Sequence, residues 1–426
     1  WSCATGLSPL KVDAQGFGTY RADDYDTLAD SPVEMGPFWS ARFTACGVPH
    51  RIVVAGAAPS FNGKRLVADT RTICETAIRF WHGEGKPPFK NYLFMLNVVD
   101  DGYGGLEHRN STALICARRD LPRTTPPHSS EGYTTLLGLI SHEYFHTWNV
   151  KRLRPAEFAR YDYAQENYTQ LLWFFEGFTS YYDDLLLRRA ALLDHGGYLK
   201  LLTKTINQVL QTPGRLVQTV AQASFDAWVK YYRQDENTLN ATVSYYTKGS
   251  LVALCLDLSL RKEGHTLDGV MRGLWKRCKA GPMREQDLLD ELHALTGRSW
   301  QAEIQAWVHS THDLPLRELL SSQGIDIKSE AGSLPQRLGL RVNENSGHVH
   351  VKSVLRHSAA EAAGLAAGDE WLGLDVGNKG QGGSWRLNKL DELSALLGQE
   401  RQFIALVARD KRLLRLPMKM PEESST

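Results

Sequence analysis

A chain of 426 residues exceeds what one hydrophobic core organises and points to about three folded units. Its 42% hydrophobic and 23% charged residues exclude a disordered or collagen-like chain, and 49 basic against 48 acidic side chains leave no excess field to attract nucleic acid or an anionic membrane. No apolar run approaches the roughly 18 to 20 residues that span a bilayer, which excludes a membrane-spanning helix.

From Trp1 to about Val48 the sequence is turn-rich, and "ADDYDTLADSPVEMG" reads as loops and short strands with no evident chemistry. "HRIVVAG" (50–56) and "YLFMLNVV" (92–99) have strand composition, and "RLVADTRTICETAIRFWHG" between them has helical periodicity, an α/β alternation. In the glycine-rich stretch 100–119, Gly104 and Gly105 allow another chain to approach the backbone closely, and Ser111–Cys116 reads as a strand. A Pro/Ser loop, "LPRTTPPHSSEG", follows, and helical patterns then dominate from about Tyr133 to Leu320. Polar sequence with Gly and Pro places a domain boundary near residue 325. Beyond it, "GLRV", "HVHVKSVL", "EWLGLDV", "QFIALVARD" and "RLLRLPMKM" read as strands around two short helical patterns. The six cysteines (Cys3, Cys46, Cys74, Cys116, Cys255, Cys278) are scattered, without a CxxC pair, and read as buried free thiols. The chain opens on Trp1 rather than Met, which reads as a start inside a longer product; a soluble protein is expected, with its compartment, cytoplasmic or periplasmic, left open.

The chemistry concentrates in "GLISHEYFHTWNVKRLRP". On a helix, residues four apart share a face, so His142 and His146 can direct two imidazoles at one ion while Glu143 reaches the same pocket without being a ligand. This is the HExxH arrangement of zinc hydrolases, with the glutamate as general base. No Gly or Pro interrupts the pattern near the motif, and the first helix stop signal is Pro155. A catalytic zinc requires a third protein ligand. Asn149 and Arg152 stand where HExxHxxGxxH requires Gly and His, and Glu157 and Glu166 lie in polar loop sequence. Glu176, set in "LLWFFEGF", is costly to bury without a cation, so it is the candidate ligand; a salt bridge to Arg188 or Arg189 is the alternative. An oxyanion needs a positioned donor, and "VSYYTKG" offers Tyr245 and Tyr246.

"GGLEHRNSTAL", "SHEYFHTWNVKRLRP", "LLWFFEGFTSYYDDLLL", "SFDAWVKYYR" and "SYYTKGSLVALCLDL", in this order, resemble the glycyl aminopeptidase family of gluzincin metallopeptidases, whose members carry a C-terminal PDZ domain. The resemblance implies an α+β fold: a thermolysin-like catalytic domain with a mixed sheet and a mostly α-helical lobe, followed by a small PDZ-like β-sandwich. It implies one zinc ion on His142, His146 and Glu176, Glu143 as general base, and a zinc-activated water that removes N-terminal Gly or Ala from peptides. A more distant likeness to alanyl aminopeptidases, which place an oxyanion-binding tyrosine in YxKG, selects Tyr246. The same likeness sets Gly104-Gly105-Leu106-Glu107-His108 beside the strand whose glutamate holds the substrate's free amine, making Glu107 the candidate and the strand at Gly105 an edge for the substrate backbone. His108 departs from the asparagine of those enzymes. Residues 1–48 would be the end of an N-terminal β domain, 49–128 an α/β subdomain, 129–325 the zinc-binding domain and 326–426 the PDZ-like domain and tail. Leu338-Gly339-Leu340 would capture the C-terminal carboxylate of a peptide ligand. His348 and His350 share one strand face and read as solvated rather than as a second metal site. Two other readings are a catalytically silent PDZ scaffold and a zinc endopeptidase.

Overall fold

The computed structural model describes residues 1–125, 130–377 and 383–421. Part of the Pro/Ser loop, the expected 128/129 boundary and the end of the C-terminal tail lie outside the described residues. The chain forms two compact units, Trp1–Ile206 with Tyr245–Glu303, and Asn207–Ser244 with Ile304–Thr426.

The first unit opens with β1 (Ser2–Thr5), β2 (Ser8–Val12), β3 (Gly18–Arg21) and β4 (Val33–Gly36), paired antiparallel as β1 with β4 and β2 with β3. Where loops and strands alone were expected there is also a short helix, α1 (Tyr25–Ala29), started by the Asp24 carboxylate accepting from Thr27 N at 2.7 Å. Next come β5 (Trp39–Ala45), β6 (Val48–Ala55), β7 (Tyr92–Val99), β8 (Gly104–Glu107) and β9 (Ser111–Ala117), in the sheet order β5-β6-β7-β9-β8. Cys46 and Gly47, both at positive φ, form the two-residue turn from β5 to β6. α2 (Gly63–His82), capped by Asn62, crosses from β6 to its parallel neighbour β7, which is buried along nearly its whole length as a central parallel strand must be. β8 runs antiparallel to β9 at the sheet's outer edge.

The helices that carry the site are α3 (Glu131–Phe145), α4 (Leu172–Arg189) and, after α5 (His195–Leu210), α6 (Val220–Phe225) and α7 (Thr238–Ala241), α8 (Thr247–Lys262). Tyr144 packs on Tyr92 of the sheet (ring centroids 4.8 Å apart) and Phe145 on Tyr182 of α4 (5.2 Å), which fixes the rotation of α3 about its axis. α4 and α8 cross at two glycines: a Cβ on Gly177 would lie 2.5 Å from the Gly249 backbone, and one on Gly249 would lie 2.5 Å from Trp173 O. Only glycine permits that approach, and it brings the residues just before each glycine into one neighbourhood. A minor parallel pair, β10 (Arg154–Pro155) with β11 (Pro282–Met283), completes the unit.

In the second unit β12 (Leu340–Asn345), β13 (His348–Val354), β14 (Glu370–Val376), β15 (Gly383–Arg386), β16 (Gln402–Arg409) and β17 (Arg412–Lys419) form one antiparallel sheet, β12-β13-β14-β16-β17, with β15 also on β14. The expected sandwich is therefore, by pairing, a single sheet, because β14 bonds β13, β15 and β16 in turn. Leu338, Leu340, Val349, Val351, Trp371 and Phe403 form its core with the short helices Ala359–Ala363 and Glu392–Leu397. All six cysteines are free; Cys46 and Cys278 are half-buried rather than buried. Among the described residues no helix is long and apolar enough to cross a membrane.

Candidate active site

His142 and His146 stand in the last turn of α3, which ends at Phe145 with His146 as its C-cap, ten residues before the expected stop at Pro155. Past Phe145 the chain tightens into turns, Thr147 N donating to Tyr144 O and Trp148 N to Phe145 O, and the His146 Nδ1 donates to Asn149 O at 2.8 Å. His142 Nδ1 donates to Asp183 Oδ2 at 2.9 Å. Each imidazole thus commits its Nδ1–H to an acceptor and turns its Nε2 to the interior, where it can hold a proton or, as a neutral ring, a metal. The two Nε2 atoms lie 3.0 Å apart, and Glu176 Oε2 lies 3.3 Å from that of His142 and 3.1 Å from that of His146. Three such atoms converging this closely repel one another unless a proton or a metal cation lies among them. A tetrahedral zinc with bonds of about 2.0–2.2 Å would hold its ligands about 3.3–3.6 Å apart, so the donor set fits zinc with little adjustment. The alternative of a salt bridge from Glu176 to Arg188 or Arg189 is not realised: Arg189 pairs with Asp268 at 2.8 Å, and Glu176 faces the imidazoles.

The electrostatics agree. Burial alone would raise the Glu176 carboxyl, but His146 and His142 hold it far below the carboxylate range. Burial works against a charged His146, yet Glu176 and Glu107 carry it to about 9; for His142 the same opposition is overcome chiefly by Asp183. The pocket is a negative field built to receive positive charge.

Glu143 is 4% exposed, and its Oε2 has no hydrogen-bond partner. Burial pushes its carboxyl up to about 7 against the pull of the two histidines. β8 passes directly over it, since a Cβ on Gly105 would fall 2.1 Å from Glu143 Oε1. On the same strand, Glu107 brings a carboxylate oxygen to within 4.8 Å of the nearest ligand atoms of both Glu143 and His146. Tyr246, at the N-cap of α8, stacks over His142 with centroids 6.2 Å apart, whereas Tyr245 is buried and packs on Tyr246 at 4.8 Å.

Residues 135–252 match the profile of the M61 glycyl aminopeptidase family, and residues 1–37 that of the peptidase M61 N-terminal domain. The crystal structure of an aminopeptidase N family protein from Idiomarina loihiensis is 34% identical, covering 100% of this chain and 74% of that one, with a TM-score of 0.90. The chain belongs to the M61 glycyl aminopeptidase family. It is a zinc metallopeptidase of the metallo-aminopeptidase kind. An M1 zinc metallopeptidase from Deinococcus radiodurans is also similar, at 16% identity over 74% of this chain and 63% of that one, with a TM-score of 0.49. A comparison with curated proteins gave no match.

Two residues of this M61 peptidase escaped the sequence reading. Asp183 lies two helical turns after Glu176 on α4, so it faces the same side and reaches the far nitrogen of His142; that spacing of seven was the available signal. Asp30, in the stretch without evident chemistry, accepts from His108 Nδ1 at 3.0 Å, from Lys151 Nζ at 2.7 Å and from Arg109 N at 2.9 Å. It ties the strand end after Glu107 to the turn after His146. Burial would raise the Asp30 carboxyl, but these donors hold it at about 2. Its native pKa is thus depressed from an unfolded value of about 3.9, and the stabilisation is present above that value and lost as pH falls toward 2. Asp30→Asn is expected to lower unfolding stability by about 2–3 kcal/mol at neutral pH, with the difference from the parent shrinking between about pH 4 and pH 2. Denaturant titrations at several pH values check this.

In the second unit, Gly339 adopts a left-handed conformation (φ 73) as the C-cap of the helix Leu334–Leu338, and the Leu338 and Leu340 side chains enter the core. Gly339 N already donates to Gln336 O at 3.1 Å. β12 is one of the sheet's edge strands.

Proposed function

We propose that the chain removes N-terminal Gly or Ala from peptides at one zinc ion held by His142, His146 and Glu176, with Glu143 as general base. The observation that carries this reading is the convergence of the three donor atoms at 3.0–3.3 Å beside a buried carboxylate that is not among them. When bound, zinc supplies Lewis acidity, lowering the pKa of a water and polarising the scissile carbonyl.

The chain's own residues do the rest. The peptide's first residues pair with the β8 edge at Gly105, and Glu107 accepts hydrogen bonds from the free ammonium. Glu143 takes a proton from the attacking water and returns it to the leaving amine nitrogen as the C–N bond breaks. The Tyr246 phenol donates to the developing oxyanion, an interaction made only in the transition state. Tyr246→Phe should therefore lower kcat about 10²–10³-fold with KM little changed; an effect confined to KM would remove Tyr246 from this role.

Glycyl and alanyl amides with free and acetylated N-termini test the exopeptidase reading directly. Cleavage of the free amines alone is expected, with Glu107→Gln raising KM for them. Equal cleavage of acetylated substrates would favour the endopeptidase, and zinc without hydrolysis the silent scaffold.

We further assign the zinc-binding domain to the first compact unit, whose opening residues 1–37 match the N-terminal domain profile, and the sheet from Leu340 to Lys419 in the second unit to a PDZ-like module. The β12 edge favours a peptide ligand there; capture of its carboxylate at Leu338-Gly339-Leu340 requires Gly339 N to give up its bond to Gln336 O.

A further inference from the structure

On the second unit's sheet, the face bearing His348 and His350 gains a third donor that no sequence spacing reveals. Glu370 begins β14 directly across from His350, and its Oε1 lies 2.5 Å from His348 Nδ1. The two imidazoles lie nearly parallel, with an interplanar angle of 19° and centroids 6.2 Å apart. One ligand atom from each of the three residues lies within 4.8 Å of the others. We propose that His348, His350 and Glu370 form a second metal site, distinct from the catalytic centre, for a divalent transition metal of the zinc, copper or nickel class.

The backbone under this site is fixed from three directions. Ser346 and Gly347, both at positive φ, make the tight turn that sets the β12–β13 register. Val349 and Val351 alternate with the histidines and are buried, so a one-residue slip would put both imidazoles into the core. Trp371, fully buried, anchors Glu370 from the adjacent position. Only the side chains need turn, and His350 is exposed and half-exposed His348 is within reach of it. Ligand atoms around a zinc ion lie about 3.3–3.6 Å apart, so closing the triangle takes shifts of about 1 Å. The hydrogen bond from His348 holds the Glu370 carboxyl below its usual range, leaving an anion to offset the ion's charge. Two imidazoles with one carboxylate select borderline metals over calcium or magnesium, which take oxygen ligands.

Zinc stoichiometry of the full chain, measured after dialysis against micromolar free Zn2+, tests the site. Two ions per chain are expected, falling to one in His348→Ala/His350→Ala with aminopeptidase turnover unchanged. Cu2+ added to the zinc-loaded parent should give an electron paramagnetic resonance signal with nitrogen coupling that the double variant lacks. Equal metal content in parent and double variant, or a Cu2+ spectrum indifferent to both histidines, overturns the proposal. His142→Ala removes the catalytic ion alone, so failure at the active site and failure here are read separately.

Discussion

Glu143→Gln is expected to retain its zinc and lose about 10²–10⁴-fold in kcat, the range a positioned general base contributes. Glutamine keeps the shape that β8 packs against, where Gly105 leaves no room for rearrangement. It also leaves the three donor atoms of His142, His146 and Glu176 untouched. What it removes is the capacity to hold a proton at the buried Oε2, which has no hydrogen-bond partner. Zinc content by elemental analysis and kcat on a glycyl amide decide the matter together. Turnover within a few-fold of the parent would mean that another group takes the proton, and Glu107, the neighbouring carboxylate, would be the first to examine.

The proximity of the candidate residues was legible because helical geometry is local. His142, Glu143 and His146 need only one turn of α3 to meet, and Glu176 announced itself as a charge among aromatic residues. What placed Glu176 and Tyr246 together was also written in the chain, though less openly: each is followed within three residues by the glycine, Gly177 or Gly249, at which α4 and α8 touch. The strand Tyr92–Val99 was legible from its composition, apolar but for Asn97. Contacts that depend on long-range register were not. Asp30 meets His108 across 78 residues and Lys151 across a longer gap, so a surface-like acidic residue gave no sign of its three donors. Glu370 reaches His348 only through the pairing of β13 with β14. The early end of α3 was missed because no Gly or Pro marks it: the backbone passes into tighter turns after Phe145.

Glu176→Ala should cost more zinc affinity than any change outside the ligand set, and comparison with Asp183→Asn shows why. Asp183 acts through His142, fixing its ring and tautomer by a 2.9 Å hydrogen bond, and loss of such a partner typically costs about 10–100-fold in metal affinity. In the proposed site Glu176 would supply a donor atom itself and the only carboxylate beside two imidazoles, so the effect of its removal should exceed that range. The fold should survive, because alanine is smaller than glutamate and the α4–α8 crossing is made by Gly177 rather than by residue 176. Because zinc binds the native state alone, stripping it with a chelator should lower the parent's thermal midpoint and leave that of Glu176→Ala nearly unmoved. Equal zinc content in Glu176→Ala and the parent would remove Glu176 from the site, and with it the three-ligand geometry on which the hydrolytic reading depends.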